Sequence, residues 1–253
     1  LSLKNLRRNL SRIARNFVAT FKIGPFVRIC AATFFVFNAF NTVAAFSFFI
    51  IVHYMFAGDA GASGTWPTWF GSAGALATTF LAIPIVTLMS ERLGKKNAFV
   101  IAQTISILGY ASFWWCFNPE NPWMILLPLP LFAFGIGSLF TIMMSMTADV
   151  CDLDELSTGA RREGAFGAVY WWMVKFGFAI AALLSGLIMQ AVGFDPDAGR
   201  QTAEALTGMR LAYIFVPITG TVFAILIMLG YGLDEKRADE IRAELAARKG
   251  GGE

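Results

Sequence analysis

The chain has 253 residues, of which 57% are hydrophobic and only 15% charged, with a formal net charge of +3. Soluble domains carry about 25% charged residues, and a chain this short lacks the polar surface to wrap so much apolar content, including 25 Phe and 7 Trp. These values exclude a soluble enzyme and point to an all-α membrane protein with lipid as the solvent of its apolar surface.

In chain order, residues 1–24 place Leu3, Leu6, Leu10, Ile13 and Phe17 at helical spacing with basic residues between them. This predicts an amphipathic helix, which suits either the inner leaflet surface or a linker from a preceding domain. Six hydrophobic runs follow, at about 27–56, 66–90, 97–117, 122–147, 165–191 and 208–232. Each is long enough for the roughly 30 Å hydrocarbon layer. Each must be helical, because lipid offers no partner to an open backbone group. None alternates at the roughly ten-residue length of a barrel strand. Residues 25–233 thus predict a six-helix bundle, and 234–253 a charged, solvated cytoplasmic tail.

Charge fixes the orientation. Of the 20 Lys and Arg, all but Lys175, Arg200 and Arg210 lie in residues 1–28, in the second-to-third and fourth-to-fifth connections, or after the sixth run. Positive charge gathers on the cytoplasmic side of inner and plasma membranes, so both termini are expected there, in a multi-pass protein. Trp66, Trp69, Trp114, Trp115 and Trp123 all fall at the opposite interface, where indole rings settle. The basic residues follow this topology, so nucleic acid is not an expected partner. Cys30, Cys116 and Cys151 lie far apart and His53 is the single histidine, so no metal or cofactor site is expected.

Polar residues inside the runs mark candidate sites. Lys175 lies near the middle of the fifth run, where an amine costs on the order of 2.5–3.5 kcal/mol. No acid shares that depth, so its partner is expected from outside this chain or from a polar cavity. Trp171 stands one turn away on the same face, where its ring would stack on the apolar face of a sugar. Asn38, Asn41 and Thr42 share a face of the first run and either line a cavity or join helices. In the fourth run, Ser138, Thr141 and Ser145 form a stripe beside Gly135 and Gly137, suited to close helix contact or to cavity lining.

The two basic connections suggest a gate. Glu91-Arg92-Leu93-Gly94-Lys95-Lys96 is a tight charged turn that resembles the loop between the second and third helices of each half of major facilitator transporters. The stretch from Ala148 to Gly164 reads A-D-V-C-D-L-D-E-L-S-T-G-A-R-R-E-G. Its Asp149, Asp152, Arg161, Arg162 and Glu163, with Glu91 and Arg92, are expected to exchange ion pairs worth roughly 0–1 kcal/mol each at the surface. That makes them cheap to form in one conformation and break in another.

This stretch, followed by a helix carrying Lys175, resembles the glycoside–pentoside–hexuronide:cation symporter family of the major facilitator superfamily. Leu153 departs from the tyrosine usual there. The resemblance implies that the six helices are the C-terminal bundle of a twelve-helix fold. It also implies that Lys175 serves sugar binding and cation coupling, and that Tyr170 and Trp171 contact substrate. The co-transported Na+ or H+ would bind acids of an N-terminal half that this chain, beginning at Leu1, is expected to lack. Membrane lipid, a sugar and that N-terminal six-helix half are the expected partners. A lysolipid or other solute carrier of the same fold, or a half-size membrane scaffold that transports nothing, is the alternative.

Overall fold

The computed structural model describes residues 17–250, the side chains of the last two excepted, so most of the amphipathic stretch expected over 3–19 lies outside the described residues. Among the described residues, six helices are long and apolar enough to cross a bilayer: α1 (Gly24–Met55), α2 (Ala60–Leu93), α3 (Lys95–Cys116), α4 (Pro122–Thr158), α5 (Glu163–Ala191) and α6 (Ala203–Leu229). A seventh, α7 (Glu235–Gly250), follows at the end that carries the basic connections. Among the described residues there is no strand.

Local chemistry sets the helix ends. Pro25 opens α1, at a position where a missing N–H costs nothing. Thr202 caps α6 by accepting a bond from the Ala205 N–H. Gly94, at φ 80°, turns α2 into α3, and Gly159, at φ 69°, ends α4 in the left-handed conformation glycine tolerates. α4 runs past the expected end of its span. Hydropathy falls at the acids from Asp149 onward, but the backbone ladder needs no apolar side chains, and the helix continues to Thr158. The acids are thus displayed on a helix, and only residues 159–162 connect it to α5.

α1 and α4 are the most buried spans and α2 and α5 the least. α1 packs against α5 and α6, α3 against α4 and α6, and α2 against α4. Two core clusters result. Towards the Trp-rich end, Phe46, Phe70, Phe113, Phe132 and Tyr213 interlock. Towards the basic end, Phe26, Phe99, Met146, Phe166 and Tyr170 do so, and Ile241 and Leu245 of α7 join them. The tail is thus the charged helix expected over 234–249, but it is docked with its apolar stripe facing the bundle instead of solvated. Of the tryptophans at the opposite end, Trp69, Trp115 and Trp123 are exposed. Trp114 instead stacks on Arg210, whose guanidinium sits 4.3 Å from the ring centres of both Trp114 and Tyr54.

Three π-helical turns interrupt the spans, at Ile50–Met55, Thr78–Ala82 and Leu139–Met143. The second precedes Pro84, which has no N–H for the carbonyl one turn back. Gly137, just before the third, brings α4 against the second, since a Cβ there would stand 3.1 Å from that of Ala82.

Glycine also fixes how closely α3 and α4 approach. A Cβ on Gly109 would lie 2.5 Å from the backbone nitrogen of Phe132, which cannot yield as a side-chain tip would. Gly109→Ala is expected to force the helices apart at a cost of about 1–3 kcal/mol, read as a lowered unfolding temperature of the purified protein. Gly186→Ala, with nothing within 4 Å of the added atom, should leave that temperature unchanged.

Candidate functional site

Two regions carry the chemistry. The first is an open face shared by α1, α2, α4 and α5. Lys175 sits on it, about 18 Å along α5 from Glu163 at 1.5 Å per residue, with its side chain exposed and no hydrogen bond or ion pair among the described residues. Trp171, 44% exposed, lies one turn towards the basic end on the same face. Phe178, 48% exposed, lies one turn the other way and borders a cavity of about 560 Å³. Phe37, Phe40, Phe70, Phe132 and Phe140 supply much of its wall, with Ser47, Thr78 and Thr79 among the few polar groups.

The other residues predicted for this face are placed differently. Tyr170 is 3% exposed and turned into the core, its ring edge-on to Trp171. Asn38, 8% exposed, donates to the Gly177 carbonyl of α5 at 3.4 Å, so of its two expected uses it takes helix joining. Thr42 is fully buried and donates to the Asn38 carbonyl at 2.9 Å, while Asn41, half-buried, donates to the Phe37 carbonyl at 2.7 Å. Thr141 donates to the Gly137 carbonyl at 2.9 Å and borders a second cavity of about 410 Å³ with Thr87, Ser90, Glu91 and Ser145. A hydroxyl surrounded by apolar side chains bonds back to its own helix because no water competes.

The phenylalanine cavity was not anticipated. In a chain with 25 Phe no single ring stands out, and only helix packing selects those that share a hollow.

The second region is a charged network at the basic end, graded by burial. Asp149, 6% exposed, lies between Lys95 at 2.5 Å and Arg242 at 2.9 Å. It thereby ties α4 to the α2–α3 turn and to α7. Asp154, 2% exposed, receives both Nε and Nη2 of Arg162, the fork geometry of a strong pair. Arg161, near half exposed, fans across Glu155 at 2.8 Å and Asp152 and Glu163 at 3.1 Å. These bonds, that of Glu155 foremost, push the Arg161 guanidinium above its ordinary value, as Asp154 does for Arg162. Of the predicted gate, Asp152, Arg161 and Glu163 meet in one cluster, and Asp149 and Arg162 meet other partners. Glu91 and Arg92 are exposed and form no ion pair among the described residues.

Lys95, Asp154, Glu155 and Arg242 join the network beyond the predicted residues. Lys95 stood in the charged turn already singled out, so its signal was present. Arg242 could not be placed without α7. The neighbouring Lys96 donates to the carbonyls of Leu229 at 2.6 Å and Tyr231 at 3.3 Å, which secures the last turn of α6. The three cysteines are free and buried, and no group of metal-ligating side chains occurs among the described residues.

Known proteins match this chain along most of its length. A sequence profile described as MFS/sugar transport protein covers residues 6–235. A glucuronide carrier protein homolog of Escherichia coli is 31% identical over 69% of this chain and 38% of its own length. The isoprimeverose transporter of Lactiplantibacillus pentosus is 28% identical over 61% of this chain and 32% of its own. A putative sulfoquinovose importer of Escherichia coli is 25% identical over 94% of this chain and 49% of its own. The chain thus spans half or less of the length of these relatives. With six spanning helices and a profile match across the whole bundle, the chain belongs to the MFS/sugar transport protein family, a family of multi-pass membrane transporters and not of enzymes.

Proposed function

We propose that the chain is the C-terminal six-helix half of a sugar or glycoside symporter that is driven by Na+ or H+ and works by alternating access. The observation that carries this reading is Lys175. A mid-span ammonium is costly unless it faces a polar cavity or an acid, and here it stands on an open face with no partner among the described residues. An N-terminal half covering that face supplies the carboxylate. The coupling cation binds among the acids of that half, so that cation, acid and lysine share one charge balance. The substrate lies near the midplane between the halves, with Trp171 stacked on its sugar ring. The aligned lengths of the relatives and their printed names support this arrangement.

The charged network serves as the gate on the cytoplasmic side of the plasma (inner) membrane, where both termini lie. Its parts differ in cost. Removing one partner of a buried pair such as Asp154–Arg162 costs roughly 3–5 kcal/mol, whereas an exposed pair of the Arg161 fan is worth about 1 kcal/mol or less. Asp154–Arg162 therefore holds the end of α4 in place, and the Arg161 and Arg242 contacts open and close.

Two measurements test these roles. In vesicles bearing the complete transporter, Lys175→Ala should reduce cation-dependent uptake of its sugar by about 100-fold or more, since a buried charged partner is left unpaired. Unchanged uptake with unchanged cation dependence would refute the coupling role. For the gate, Asp154→Ala should lower thermal stability several times more than Glu163→Gln. A Glu163→Gln loss equal to that of Asp154→Ala would refute the graded network.

A further inference from the structure

α6 packs on α1 and α3 and lines none of the large cavity. Its outward side carries Val222, Leu226 and Leu229, all exposed and one turn apart. No charge follows Arg210 in the sequence until Asp234. Lipid is the solvent for such a side, because every backbone group is satisfied within the helix and the side chains are apolar.

Where this side reaches the basic end, two cations converge on the last turn of α6. Lys96, from α3, donates to the carbonyls of Leu229 and Tyr231. Arg28, from α1, lies against Gly230 between them: its Cζ and Nε would each stand 3.4 Å from a Cβ at that position. The missing side chain leaves room for the guanidinium. A helix C-terminus attracts cations through its dipole and its open carbonyls, which accounts for Lys96. It does not account for Arg28, which is exposed and whose guanidinium forms no hydrogen bond or ion pair among the described residues. Arg28 thus keeps five N–H donors in a planar fork, and Lys96 keeps one of its three. Residues 1–58 contain no Asp or Glu, so α1 brings no acid to this point, and Lys22 adds a further exposed positive charge just before it. A planar fork beside a compact ammonium is the donor set that suits a phosphate.

We infer that Arg28 and Lys96, gathered at the end of α6, bind the phosphate of an anionic phospholipid whose acyl chains lie along Val222, Leu226 and Leu229. A soluble phosphate compound shares the headgroup chemistry. The apolar side that runs on directly from the two cations favours the lipid, since it gives the chains a surface that a free phosphate would leave unused. A phosphate held by both residues ties α1 to α3 across the end of α6, so the bound lipid stabilises the bundle. This inference depends on the six helices crossing a membrane and not on the cargo being a sugar.

The test is lipid binding to the purified complete transporter in a neutral detergent, read by native mass spectrometry and by the unfolding temperature. The probes are dioleoylphosphatidylglycerol and dioleoylphosphatidylcholine, with glycerol 3-phosphate as a soluble headgroup. The first phosphatidylglycerol should bind about tenfold more tightly than phosphatidylcholine and should raise the unfolding temperature. Arg28→Gln should weaken that binding about tenfold or more, as expected for losing charged hydrogen bonds to a phosphate. The variant gives up no side-chain bond within the described residues, so the fold is kept. Lys96→Gln should weaken binding in the same direction. Arg237→Gln, which removes the same charge from an exposed position on α7, should leave the affinity within about twofold, the change expected where no phosphate contact is lost. Equal affinity for the two lipids, or unchanged affinity in Arg28→Gln because an acid of the N-terminal half holds the guanidinium, would overturn the site. So would equal losses in Arg28→Gln and Arg237→Gln, which would mean diffuse attraction. Displacement of the lipid by an equal concentration of glycerol 3-phosphate would overturn the lipid assignment in favour of a soluble phosphate. All of these outcomes leave the sugar-carrier reading intact.

Discussion

The rest of the structure depends on the inability of hydrocarbon to hydrogen-bond. Backbone groups close their bonds within helices, and hydroxyls do the same. Thr42, Thr78, Thr87, Thr104, Thr141 and Thr147 each donate to a carbonyl four residues back. Polar residues that cannot be satisfied locally are used between helices, as with Asn38 on Gly177 and Gln103 on Gly135 and Ser138. Against that background Lys175 is a mid-span charge on an open face, with no ion pair among the described residues.

Without a hydrophobic drive between helices in lipid, association comes from close packing and a few interhelical bonds. Glycine supplies the closeness. Gly109 lets α3 meet the backbone of α4, and Gly135 admits the Ser106 hydroxyl, which would stand 2.5 Å from an added Cβ. The π turns in α2 and α4 lie at this packed seam and shift the register of the residues beyond them. The cavities form on either side: Phe140 borders the large one, and Thr141, the next residue along the same turn, borders the polar one. The shape of the candidate site is thus a consequence of how the two interrupted helices fit.

At the basic end the constraint relaxes, because water and lipid headgroups can solvate charge. Ion pairs there span the range from buried to exposed within one short stretch. The deepest, at Asp154, anchors α4, and the outermost, at Arg161, spreads over three carboxylates. Asp149 stands between, held from two sides by elements distant in sequence.

The sequence by itself determined the six spans, the end that carries positive charge, the depth of Lys175 and the family motif. These depend on average hydropathy and on the position of single charges, and both are local quantities. Only the tertiary structure decided the rest. Whether Asn38 faces a cavity or a neighbour depends on the rotation of α1 against α5. Whether Ile241 and Leu245 are solvated or buried depends on α7 having the end of α4 to dock on. Which phenylalanines enclose a cavity depends on the distance at which glycines let helices meet. Partners of this kind are set by the packing of helices far apart in the chain, and no local pattern encodes them.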